Sequence, residues 1–127
     1  MLSPRQIQSL FPLSSQDKEW LEHSRFTAQA IVQEKDLRKV LIVGPCSIHD
    51  KTSALEYAEH LRKLSYHVDR ACFVVMRVYL EKSRTTIGWK GLVYDPYLDG
   101  SHAMETGLIW GRELLTELVK DESACRN

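Results

Sequence analysis

The sequence predicts an α/β fold, with parallel strand–helix units behind an N-terminal helical arm. Two apolar, β-branched runs of strand length carry this reading, Val40-Leu41-Ile42-Val43 and Cys72–Tyr79. Each ends in a loop rich in polar and turn-forming residues. Around them lie stretches whose apolar residues recur at helical spacing. Strands alternating with helices are the pattern of parallel βα units.

Each element has a local reason. Ser3-Pro4-Arg5-Gln6 combines an N-cap serine, a proline at the first helical position and a capping-box glutamine. A short helix should therefore end near Phe11, ahead of Pro12. A second helix begins at Ser14 or Ser15, with Trp20, Leu21, Ala28, Ile31 and Val32 on one stripe beside small Ser24. Residues 1–39 form the helical arm. Val40 to Val43 reads as a strand buried on both faces of a parallel sheet, ended by Gly44-Pro45. Asp50 caps the next helix, whose stripe is Ala54, Tyr57, Ala58, Leu61 and Leu64. Cys72–Tyr79 is the second strand. A long loop with turn signals at Asp95-Pro96 and Asp99-Gly100-Ser101 leads to a last helix over Ala103 to Val119. Its inward residues should be Met104, Gly107, Leu108, Gly111, Leu115 and Leu118. Residues 40–119 thus hold two βα units, and residues 120–127 read as a polar tail.

Composition narrows the class. The chain has 127 residues, 43% hydrophobic and 27% charged, which is at most one ordinary soluble domain. A formal net charge of +0 supplies no global field for nucleic acid or an anionic membrane. The longest apolar run is far too short to span a bilayer, and Met1-Leu2-Ser3-Pro4-Arg5 has no signal-peptide core. Cys46, Cys72 and Cys125 form no CxxC pair, and their odd number fits poorly with a disulfide framework. A cytoplasmic location is expected.

The chemistry gathers where parallel α/β folds build active sites, at the C-terminal ends of the strands. The first strand ends in Gly44-Pro45-Cys46-Ser47-Ile48-His49-Asp50, which offers a thiol. The second leads into a segment carrying Arg77, Lys82, Arg84 and Lys90 with Thr85 and Thr86, chemistry suited to phosphorylated anions. Arg77 is either a strand-end arginine paired with a carboxylate such as Glu81 or a bidentate clamp for a carboxylate or phosphate. Lys82 and Arg84 alternate along extended chain, so their side chains should project to one side and share a phosphate. Cys46 has three readings: an inert buried thiol, a nucleophile served by His49, or a metal ligand completed from elsewhere. Spacing alone leaves them open.

Leu41 through Asp50, Glu56-Tyr57-Ala58, and Met76-Arg77-Val78-Tyr79 through Gly91 strongly resemble type I 3-deoxy-D-arabino-heptulosonate 7-phosphate (DAHP) synthases. The similarity runs from the arm to about Val119. It implies the first two βα units of a (β/α)8 barrel behind an N-terminal helical arm, with the site at the strand C-termini. It also implies condensation of phosphoenolpyruvate with erythrose 4-phosphate, the first step of the shikimate pathway to aromatic amino acids. The implied cofactor is a divalent metal ion of the Mn, Fe, Co or Zn type. Cys46 matches the family's metal ligand, Arg77 and Lys82 its phosphoenolpyruvate-binding residues, and Arg84 and Thr85 its erythrose 4-phosphate loop. Lys82 is the expected catalytic residue. The implied partners are the two substrates, together with further copies of the chain or the remaining part of the barrel.

Two departures stand out. Ser83 occupies a position where the family has proline, which frees φ and adds an N–H, so the substrate loop should be less pre-organised. The family's other metal ligands and several basic residues lie on later strands that this sequence does not contain. The chain alone is expected to be inactive. A different reading is a non-catalytic fragment that docks on an intact synthase and regulates it.

Overall fold

The computed structural model describes residues 1–82 and 87–126, the Arg126 side chain excepted. The arm forms as its caps dictate. Helix α1 (Pro4–Leu10) starts with the Ser3 hydroxyl accepting the Gln6 N–H at 3.2 Å, while the Gln6 side chain accepts the Ser3 N–H at 2.7 Å. Helix α2 (Ser15–Val32) repeats the device with Ser14 and Asp17. Such reciprocal caps satisfy donors that the first helical turn leaves unpaired.

Strand β1 (Lys39–Val43), helix α3 (Lys51–Val68) and strand β2 (Cys72–Met76) follow as one βαβ progression of parallel strands. The two strands pair from Lys39↔Cys72 to Val43↔Met76. Asp50 caps α3 by accepting the Ser53 N–H at 2.7 Å. Helix α4 (Met104–Arg126) closes the chain and packs against α1, α2 and α3. The core joins Ile48, Ala54 and Leu114, with Leu55, Val78, Leu80 and Leu118 packed around them.

Four expectations are corrected. Strand β2 stops at Met76 rather than Tyr79, because its partner ends at Gly44-Pro45 and no ladder remains to pair with. The chain beyond it pairs with itself instead, through a Glu81↔Gly91 antiparallel bridge and a 2.8 Å bond from the Lys82 N–H to the Lys90 carbonyl. Strand β1 is not buried on both faces: Leu41 is 41% and Ile42 67% exposed. Among the described residues the sheet has two strands, so β1 has one neighbour and a bare flank. On α4, Leu114 rather than Leu115 is the core leucine, at 1% against 40% exposure.

The fourth correction concerns the tail. Residues 120–126 are not an appendage, since α4 continues through them to Arg126. Their polarity has a partner. Ser123, 1% exposed, and Lys120 lie by Asp17 in the first turn of α2. The Ser14 backbone N–H, against the opposing pull of burial, holds the Asp17 carboxyl below the ordinary carboxylate range, helped by the hydroxyls of Ser14 and Ser123 and by Lys120. A polar stripe meeting another helix's polar cap looks like a solvated tail in sequence.

Candidate functional site

The loops after β1 and β2 are stitched together beyond the sheet. The Arg77 N–H donates to the Val43 carbonyl at 2.8 Å, the Ile48 N–H to the Tyr79 carbonyl at 2.9 Å, and the Ser47 hydroxyl to the Glu81 carbonyl at 2.9 Å. Gly44 makes the approach possible, because a Cβ there would lie 2.6 Å from Arg77 Cβ. The stitching brings Cys46 and Lys82 together. The Lys82 ammonium donates to the Cys46 sulfur at 3.9 Å, across 36 positions of sequence. Cys46 is exposed and Lys82 half-buried, so the pair borders solvent at the strand C-termini.

Arg77 stands one residue past β2 and is exposed. Its guanidinium lies over the Tyr79 ring, 4.8 Å from the centroid. Among the described residues it forms no ion pair, so the alternative of a pairing with Glu81 gains no support. A guanidinium held by a ring face keeps its donors free for an anion, and attraction to the ring contributes about 0.5–1 kcal/mol at exposed positions. His49 places Nε2 2.8 Å from Asp50 Oδ2 and makes no hydrogen bond to Cys46 among the described residues. The imidazole therefore serves the α3 cap, and the nucleophile reading of Cys46 loses its base. The bond from the Ser53 hydroxyl leads the influences that keep the Asp50 carboxyl below its ordinary range.

The return loop is fixed by Asp95, 5% exposed. Its carboxylate accepts the Gly100 N–H at 3.0 Å and the His102 N–H at 3.4 Å, and its carbonyl accepts the Trp89 indole N–H at 2.8 Å. The latch holds Leu98 and His102 in the left-handed region, at φ 56 and 53. Lys90 remains exposed while its carbonyl anchors Lys82. Sequence reading missed the Ser47 bond, the Tyr79 stacking and the Asp95 latch. Asp95-Pro96 signalled a turn, but nothing in the chain signalled how many donors would converge on one carboxylate.

Arg84, Thr85 and the departure at Ser83 lie outside the described residues. Among the described residues there is no group of three or more His, Cys, Asp or Glu that could hold a metal ion. Cys46 offers one donor, and the described residues do not make a metal site by themselves. No helix among them is long and apolar enough to cross a membrane.

Two parallel strands whose C-terminal loops bring a thiol and an ammonium together, with a guanidinium one residue past β2 that makes no ion pair among the described residues, define an α/β protein. The chain belongs to the DAHP synthetase I family, whose model matches residues 13–126. It is 46% identical over 119 residues to the Tyr-sensitive phospho-2-dehydro-3-deoxyheptonate aldolase of Escherichia coli K12, covering 94% of this chain and 33% of that protein. A phospho-2-dehydro-3-deoxyheptonate aldolase of Amycolatopsis methanolica is 42% identical over 118 residues, covering 93% of this chain and 58% of that one. The solved structure of phospho-2-dehydro-3-deoxyheptonate aldolase from Francisella tularensis SCHU S4 superposes with a TM-score of 0.86 at 40% identity, over 91% of this chain and 34% of that one. The chain thus spans about a third of the length of the Escherichia coli and Francisella proteins it matches.

Proposed function

We propose that this chain supplies the first part of a DAHP synthase active site, on the first two βα units of a (β/α)8 barrel. The reaction is condensation of phosphoenolpyruvate with erythrose 4-phosphate and water to DAHP and phosphate. The observation that carries the reading is the meeting of Cys46 and Lys82 at 3.9 Å at the C-terminal ends of two parallel strands.

The roles follow from the chemistry of each group. Arg77 presents a planar fork suited to a carboxylate or phosphate, and its seat on Tyr79 limits the entropy lost on binding. Lys82 supplies a point charge beside that fork, holding phosphoenolpyruvate against electrostatic repulsion from a second anionic substrate. Arg84 and Thr85 are assigned to erythrose 4-phosphate on the family resemblance. Cys46 is this chain's donor toward the divalent metal of the family, an ion whose chemistry is to polarise a carbonyl oxygen. Among the described residues no group of three or more His, Cys, Asp or Glu gathers to hold that ion. The reaction is placed in the cytoplasm, in an assembly with further copies of the chain or with the remaining part of the barrel.

The bare flank of β1 favours a second reading. The unpaired backbone of β1, with Leu41 and Ile42 exposed beside it, is an edge on which an intact synthase could seat, making the chain a non-catalytic regulatory partner. A chimera separates the two. The segment of the Escherichia coli protein that aligns with this chain is replaced by this chain's own residues. Arg77→Ala in that chimera should lower kcat/KM for phosphoenolpyruvate by roughly ten- to a hundredfold, the loss of a charge-assisted contact of about 1.5–3 kcal/mol. An Arg77→Ala chimera that uses phosphoenolpyruvate as well as its parent would refute the assignment.

A further inference from the structure

Cys46 and Lys82 sit on different loops, and a four-carbon lysine stem does not by itself hold an ammonium near a sulfur. Something must fix the two backbones relative to each other. The sheet ladder ends at the Arg77–Val43 bond, before either residue. Beyond it, apart from the Lys82–Cys46 contact itself, two described hydrogen bonds tie the loops: the Ile48 N–H to the Tyr79 carbonyl, and the Ser47 hydroxyl to the Glu81 carbonyl at 2.9 Å. The second joins the immediate neighbour of Cys46 to the immediate neighbour of Lys82, and it is the one made by a side chain.

We infer that Ser47 is a positioning residue, whose hydroxyl clamps the loop carrying Cys46 against the loop carrying Lys82 and so sets the thiol–ammonium distance. The inference deepens the proposed function and rests on its placing Cys46 and Lys82 in one site. Three features distinguish a clamp from a solvated serine. The acceptor is a backbone carbonyl, so it does not depend on the rotamer of a flexible side chain. It lies 34 positions away in sequence, so the bond is tertiary and not a local turn. Glu81 is itself locked by its bridge to Gly91, so the clamp pulls on a fixed point. Gly44 then sets how closely the loops approach, and Ser47 fixes them in register.

The experiment reads the pair directly on the 127-residue chain. Ortho-phthalaldehyde condenses with an adjacent amine and thiol to give one fluorescent isoindole with loss of two waters, and needs both groups within a few ångströms. Wild-type chain should form isoindole, and Cys46→Ala and Lys82→Met should abolish the fast phase. Ser47→Ala and Ser47→Val should slow it by about fivefold, the order expected when one neutral hydrogen bond no longer holds the loops. Ser47→Thr, which keeps the hydroxyl, should restore the wild-type rate. Circular dichroism confirms that each variant is folded, and the Thr/Val pair decides the matter if the alanine variant is not. Ala and Val variants as fast as wild type, or a Thr variant as slow as Val, would overturn the clamp while leaving the pair intact. Absence of the fast phase in wild type would instead remove the pair, and with it the observation beneath the proposed function.

Discussion

Arg77 owes its surroundings to residues that make no charged contact with it. Gly44 lets its backbone come close, and Tyr79 gives its guanidinium a face to rest on. Charge alone therefore does not distinguish it from Lys90, which is also exposed. The difference should appear in kinetics. In the chimera Arg77→Ala should raise KM for phosphoenolpyruvate, whereas Arg84→Ala should raise KM for erythrose 4-phosphate, each by roughly ten- to a hundredfold. Steady-state rates with each substrate varied in turn check this, and a shift of the same KM by both changes contradicts the division of roles. The motif residues were legible at this scale because a thiol and clustered cations at strand ends need no tertiary information to be noticed. Their supports were not. The Ser47 bond and the Tyr79 stacking depend on where two loops lie in space, and no spacing along the chain encodes that.

Among the elements, the caps were readable to the residue. Ser3, Ser14 and Asp50 each hydrogen-bond within the next three positions, so sequence contains the whole interaction. Helix α4 was misread because its partner is a hundred positions away. Asp17 and Ser123 each look like surface residues until the helices carrying them are packed. This docking has a pH signature. Asp17 has a folded pKa below its ordinary value, so its contribution is complete above about pH 4 and is lost as pH falls through the folded value. Asp36, Asp50 and Glu59 shift in the same direction, held chiefly by Arg38, Ser53 and Arg62. Unfolding free energy should therefore decline as pH falls below the ordinary carboxylate range of about 4 to 4.5, and Asp17→Asn should make that decline shallower. Urea titrations at fixed pH steps test it; an unchanged slope in the variant contradicts the docking role.

The glycines of α4 give a second test at this scale. A Cβ on Gly107 would lie 2.6 Å from the Leu92 carbonyl oxygen, a backbone atom with nowhere to go. One on Gly111 would meet the tip of Leu80 at 3.1 Å, which can move. Gly107→Ala should therefore cost about 1–3 kcal/mol through overpacking. Gly111→Ala should be neutral or gain up to about 1 kcal/mol from helix propensity. Denaturant midpoints compare them, and equal effects would contradict the close seating of the return loop on α4.

For the whole molecule, the fold class was legible because strand–helix alternation is a property of sequence order. Solvent exposure was not, since Val40 to Val43 is apolar whether or not a neighbour covers it. Ile42 at 67% exposure is the cost of a two-stranded sheet. With no group of three or more His, Cys, Asp or Glu able to hold a metal among its described residues, the 127-residue chain alone, given both substrates and Mn²⁺, should show no turnover. A coupled phosphate-release assay reads this, and robust turnover would require self-association to complete the site.

The most direct measurement is the turnover of the chimera itself, in which this chain replaces the aligned third of the Escherichia coli protein. If the loops carrying Cys46, Arg77 and Lys82 form a competent half-site, the folded chimera should condense phosphoenolpyruvate with erythrose 4-phosphate within about tenfold of the parent kcat, a barrier change of about 1.4 kcal/mol. Lys82→Met should then abolish that turnover. A folded chimera with no turnover, or one indifferent to Lys82→Met, would contradict the assignment of these strand ends to the reaction.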